Sequence, residues 1–220
     1  MLSYIIIHHT HETFEVALFV NITLHRTIID DKRLASKTLI FHINALLQET
    51  NTTLNQLSFI GINQGPGLFS TLRSIITTVN ALHFSHSIPL IGIDALEATL
   101  IEFQDPLYPT TIALLDAFNH EIYYGIQHHN EIKSKGYDNI EHFLHTLNTE
   151  QTKQTRFIGY AAEKYQPLIK DMCKNAFIPE KTPLFCSINI VAMLALKEFY
   201  AGKRNNYLFP LYLKKHPVEL

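Results

Sequence analysis

The run Gly65-Pro66-Gly67-Leu68-Phe69-Ser70-Thr71-Leu72-Arg73 carries the sharpest chemical signal in the chain. Its glycines permit a tight turn and close backbone approach, and N–H groups exposed at a helix start suit an anion. A phosphate site is one reading. The other is a structural strand-to-helix turn, since Pro66 removes a donor, no Lys follows as in a P-loop, and GxGxxG is absent.

A second candidate is His8, His9 and His11, because alternate strand residues share a face and imidazole suits Zn²⁺ or Fe. With 13 His scattered through the sequence, and His83/His86 and His142/His145 paired without an HExxH pattern, surface or capping histidines are expected instead, with no metal bound. Asp116 and Glu121 flank a predicted hairpin. As a catalytic pair they would need a third partner and a cleft, so turn-capping by Asp116 and a surface Glu121 are expected. GxSxG is absent, which removes the usual setting of a Ser nucleophile.

Composition narrows the setting of these residues. A chain of 220 residues with 46% apolar content can build an ordinary core without staples, as one large domain or two small lobes. Cys173 and Cys186 show no CxxC or clustered His/Cys spacing and are expected to be reduced core thiols. Eighteen basic against 20 acidic residues leave no global pull on nucleic acid. Lys203-Arg204 and Lys214-Lys215 are the densest basic groups, so any RNA contact would be local or shared with a partner. Residues 74–93 lack charge, but Thr77, Thr78, Asn80 and Pro89 interrupt them, and the N-terminal run at 4–7 is too short for a signal peptide. A cytoplasmic protein without a membrane span is expected.

The elements that must position these residues follow from periodicity. Residues 4–8, 14–20 and 22–28 read as an antiparallel meander, the third strand alternating as a half-buried one does. Helices follow at 35–49 and 69–84, each with an apolar arc of about 140°. Phe41 lies off that arc, beside Ala45 and Thr38. Strands at 57–62 and 88–93 and a helix at 95–102 complete a βββαβαβα order. Pro106 and Pro109 then mark a boundary, predicting lobes 1–103 and 104–220. The second lobe reads as strands at 111–115 and 121–126, a helix near 139–147, a strand at 156–159, and helices at 161–174 and 187–201. The last of these is a candidate to pack back on the first lobe.

The loop run resembles the TsaB (YeaZ) family of bacterial tRNA threonylcarbamoyladenosine synthesis, whose hallmark reads GPGSFTGLRIG. Gly65, Pro66, Gly67, Phe69, Leu72 and Arg73 match; Leu68, Ser70, Thr71, Ser74 and Ile75 depart. Residues 88–98 resemble the family's IPLVGVSSLEA and residues 115–123 its LDARRGEVY. Ile158-Gly159-Tyr160-Ala161 stands where GDGA is usual, and Pro210-Leu211-Tyr212-Leu213-Lys214 where PLYLR is.

This resemblance implies a two-lobed α/β fold of the actin-like ATPase and ribonuclease H type. It also implies a non-catalytic partner of TsaD, the subunit that transfers a threonylcarbamoyl group to N6 of adenosine 37 in ANN-decoding tRNAs. TsaE joins the larger complex, tRNA is met indirectly, and the chain alone could form a homodimer. Helices 35–49 and 69–84 become the docking surface, with Phe41, Ala45, Arg73, Asn80 and Phe84 as contacts. His8 stands where the family carries Asp at the end of the first strand, and no counterpart of TsaD's two metal-binding His appears. No cofactor of its own is therefore expected, ATP or ADP belonging only to the complex with partners. The competing readings are a small-metabolite kinase or ATPase of the same superfamily and, more weakly, a metal-dependent hydrolase.

Overall fold

Ser3–His9 (β1), Thr13–Val20 (β2) and Thr23–Asp31 (β3) form an antiparallel meander in the computed structural model, which describes residues 2–148 and 154–214. Ala35–Glu49 (α1) leads to Phe59–Asn63 (β4), and Phe69–His86 (α2) to Leu90–Ile93 (β5). β4 lies parallel to β1, pairing Ile5 with Ile60, and β5 lies parallel to β4, giving the order β3-β2-β1-β4-β5. The apolar stripes find their partners here. Leu39, Ile43, Leu46 and Leu47 of α1 and Leu72, Ile75, Ile76 and Val79 of α2 pack on Ile5, Ile7, Val16, Ile60 and Ile62. Each such fully buried aliphatic side chain contributes on the order of 1.5–3 kcal/mol. β3 is an edge strand, exposed in its first half and partly buried in its second: Ile22 before it and Ile29 within it are 83% and 60% exposed, while Ile28 packs on the core.

The second unit opens with Ala95–Glu102 (α3), which packs Leu96 and Leu100 against Ala113 and Leu115 of Thr110–Asp116 (β6). Glu121–His128 (β7), Glu131–Asn139 (β8), Ile140–Asn148 (α4), Thr155–Ile158 (β9), Tyr160–Lys164 (α5), Gln166–Met172 (α6) and Ala176–Phe177 (β10) follow. Their order is β10-β9-β6-β7-β8, with β6, β7 and β8 antiparallel and β6, β9 and β10 parallel. That is the first sheet's topology repeated, β6 standing for β1 and β9 for β4. Among the described residues each sheet has five strands. β8 was not anticipated because Glu131, Lys133 and Lys135 break the apolar alternation; charge is what an open edge strand carries against unwanted pairing. The single helix expected at 161–174 is two, because Pro167 suits the first turn of a new helix and lacks the N–H that a continuous one would use.

Ile188–Tyr200 (α7), capped by the Ser187 hydroxyl accepting from Ile190 N–H, returns to the first unit and packs on β1, β4 and β5. The units are residues 1–94 with 187–211, and 95–186 with 212–220. The boundary therefore falls at 94/95 rather than 103/104, because α3 shares its apolar face with the second sheet. The two prolines merely introduce β6. Cys173 and Cys186 are buried thiols, and burial pushes the Cys173 pKa up. No described helix is long and apolar enough to cross a membrane.

Candidate functional site: strand ends, the glycine-proline-glycine loop and the outer helix faces

β1 and β4 are parallel neighbours, so His8 and His9 come to the same edge as Asn63, and all three are buried. The Asn63 carboxamide is oriented by the chain after it. Gly65 N–H donates to Oδ1 (3.0 Å), leaving Nδ2 to donate to His8 Nδ1 (3.1 Å) and to the His9 carbonyl (3.3 Å). Because the amide donates, His8 Nδ1 is an acceptor without a proton. Neither ring nitrogen of His9 bonds another described residue, and burial pulls its pKa from 6.5 down to about 4. These are not the surface or capping histidines expected from sequence. The central strand is covered on both faces, so its end is buried too.

The loop is packed onto that end. Gly65 adopts φ +105°, open to glycine, and its bond to Pro66 is cis. At Gly67 a Cβ would lie 2.8 Å from His9 Nε2, so the imidazole rests on a residue that must lack a side chain. Within the loop, Gly65 N–H is taken by Asn63 and Pro66 has no N–H to offer. Leu68 takes the N-cap position of α2 without a side-chain bond to it. Thr71 and Ile75, where the resembled motif has glycines, fill the core at 6% and 1% exposure. The loop is thus a tight turn packed against His9 and Leu72.

In the second unit Asp116 does not cap its turn. Its carboxylate is buried and accepts two bonds from Lys164 Nζ (2.8 and 2.9 Å). Burial opposes the Lys164 charge, yet the Asp116 partner raises its pKa overall. Glu121, at the far end of the turn, accepts from Lys214 Nζ (2.8 Å), which holds its carboxyl below the usual range. His120, where the resembled motif has Gly, sits in the left-handed region at φ 61°. Magnesium-bound nucleotide needs oxygen ligands. The two imidazoles at the end of β1 are not such ligands, and among the described residues no group of three or more His, Cys, Asp or Glu could hold a metal.

What the first unit does present is the outward side of its helices. Phe69, Arg73, Thr77, Ala81 and Phe84 fall on one exposed stripe of α2, with Phe69 58% and Phe84 91% exposed. Arg73 lies over the Phe69 ring, 4.9 Å from its centroid. On α1, Phe41 is 72% exposed while Ala45 is half-buried. Leu72 turns inward against the loop. Asn80 is a correction. It is buried, and its carboxamide is spent inside the unit, accepting from Leu208 N–H and donating to the Leu208 carbonyl at 2.9 Å each. The stripe passes through Ala81 instead. Sequence periodicity did not reveal this, because a polar residue at the rim of an apolar arc gives no sign of a partner so far along the chain.

The family model described as TsaD, tRNA N6-adenosine threonylcarbamoyltransferase, matches residues 28–206. The tRNA N6-adenosine threonylcarbamoyltransferase of Nitrosomonas eutropha is 37% identical over 59 residues, 27% of this chain and 18% of that protein. The chain thus spans less than a fifth of the length of that curated relative. A Pseudomonas aeruginosa structure, described as an uncharacterized protein with similarity to the peptidase YeaZ, superposes with a TM-score of 0.73 at 19% identity, covering 97% of this chain and 100% of that one. A Bacteroides thetaiotaomicron protein described as having an actin-like ATPase fold and unknown function matches with a TM-score of 0.50 at 9% identity, covering 87% and 95%. The fold is therefore YeaZ-like, two α/β units of the actin-like type.

Proposed function

The chain belongs to the TsaD, tRNA N6-adenosine threonylcarbamoyltransferase, family, and from that premise we propose that it is a non-catalytic subunit which docks on a TsaD-type transferase and activates it. The reaction served is transfer of threonylcarbamoyl to N6 of adenosine 37 in ANN-decoding tRNAs. The observation that carries this reading is the exposed α2 stripe with Phe41 beside it on α1. Small Thr77 and Ala81 between Phe69 and Phe84 let a partner helix approach closely, and the phenylalanines supply apolar area to bury. The same surface would pair two copies when the transferase is absent.

The absence of a carboxylate among the strand-end side chains of His8, His9 and Asn63, together with the Asp116–Lys164 pair, supports a subunit without phosphoryl chemistry of its own. It weighs against the metabolite-kinase reading. ATP or ADP, TsaE and the tRNA belong to the larger assembly, in the cytoplasm. Reconstitution tests this: TsaD from the same genome, tRNA, ATP and a threonylcarbamoyl donor are incubated with and without the chain, and nucleosides are analysed by mass spectrometry. Threonylcarbamoyladenosine should form only with the chain present. Equal modification without it, or phosphoryl transfer by the chain alone, would overturn the reading.

A further inference from the structure

Beyond α7 the chain runs extended and is tied to the first unit at three points. Asn205 exchanges backbone bonds with Leu90 (3.0 and 3.1 Å), Asn80 brackets Leu208, and Leu211 N–H donates to the Gln64 carbonyl (2.8 Å). Alternate residues of an extended chain face opposite ways. Leu208 turns in at 5% exposure, so Tyr207 and Phe209 turn out at 57% and 72%, their rings 4.8 Å apart and inclined at 56°. Turning either ring inward would expose Leu208 and break the Asn80 bonds. These aromatics are held outward by the backbone.

Lys203 and Arg204 are exposed just upstream. Arg204 is positioned by a column of rings: its guanidinium lies 3.9 Å from the Phe199 centroid, Phe199 stacks on Phe59 at 4.8 Å, and Phe59 on Tyr4 at 4.5 Å. Its Nη1 donates to the carbonyls of Phe199 and Lys203, neutral acceptors that leave the positive charge in place. Lys203 pairs with Glu198 at 3.0 Å. Tyr207 lies three residue steps beyond Arg204, a reach of roughly 10 Å.

We propose that Lys203, Arg204, Tyr207 and Phe209 form a stacking platform for single-stranded RNA. The proposal deepens the RNA-modifying reading and takes from it only the kind of nucleic acid. Ring faces held outward beside the Arg204 guanidinium, whose acceptors are neutral carbonyls, with Lys203 sharing its charge with Glu198 nearby, match the combination that single strands require, a π-face for bases and positive charge for the backbone. A duplex keeps its bases stacked inside and offers no such faces.

The test titrates a fluorescein-labelled unstructured RNA of about 12 nucleotides, a site size within that of known single-strand binders, with the full chain alone, following anisotropy in low salt. Saturable binding in the micromolar range is expected, weaker for the matching duplex. Tyr207→Ala with Phe209→Ala should weaken it by about 30-fold or more, since each stack is worth about fivefold at the least, with an unchanged melting curve. Lys203→Gln should reduce the salt dependence. No saturable binding up to 100 µM, equal affinity for duplex, or an unaffected double variant would overturn the platform. So would a double variant that loses the transferase while keeping RNA, because the rings would then be a protein contact. RNA binding without any dependence of modification on the chain would sink only the functional reading. Dependence without RNA binding would sink only the platform.

Discussion

Asn80, in the middle of α2, and Leu208, in the extended tail after α7, are joined by two 2.9 Å hydrogen bonds across 128 residues of sequence. The carboxamide imitates a strand neighbour, supplying one acceptor and one donor to a buried backbone unit. It thereby fixes which side chains of the tail face water.

Asn80→Ala would leave the Leu208 N–H and carbonyl buried without partners, at about 1–3 kcal/mol for each group. Urea unfolding should show a loss of about 2–4 kcal/mol. A loss near zero would mean that water replaces the amide at no cost.

His9 makes stability depend on pH. Its pKa is about 4 when folded against an ordinary 6.5, so the unfolded chain binds more protons between those values. The contribution is complete above about pH 6.5 and is lost as pH falls towards 4. Between pH 7.5 and 5 this amounts to about 2 kcal/mol. Between those two pH values the wild type should lose about 2 kcal/mol more stability than His9→Phe does in unfolding titrations, and parallel curves would contradict the burial argument.

Gly67→Ala places a methyl 2.8 Å from His9 Nε2. Overpacking of this kind costs about 1–3 kcal/mol. The cost should nearly vanish when His9 is already Ala, and a double-mutant cycle measures the coupling. Additive effects would mean that the two residues do not press on each other.

Lys164→Met would strand the Asp116 carboxylate, whose side chain is only 2% exposed. Because Lys164 is itself 39% exposed, a cost of about 2–3 kcal/mol is expected, below that of a fully buried pair. Adding Asp116→Asn should recover part of it in thermal unfolding. Failure to recover any would assign the loss to the lysine's packing alone.

The order βββαβαβα and the inward stripes of α1 and α2 were legible because both are written in periodicity, which burial enforces. The loop motif, too, stood out in sequence. What escaped were features decided by distant partners. β8 hid behind its charges, as edge strands do. His8 and His9 looked like surface residues because their type is polar, while their strand's central place in the sheet decided their burial. Asn80 and Asp116 looked available because nothing nearby in sequence announces Leu208 or Lys164.

The most direct test of the account is light scattering on a size-exclusion column of the chain mixed with TsaD from the same genome. A stable mixed complex is predicted. Phe84→Asp and Phe41→Asp should weaken it by tenfold or more, because each would bury an unpaired charge in the interface. Their own stability should stay within about 0.5 kcal/mol of the parent, both positions being exposed in the chain alone. No complex at tens of micromolar with a well-folded chain, or a complex indifferent to both substitutions, would contradict the docking of α1 and α2 on the transferase.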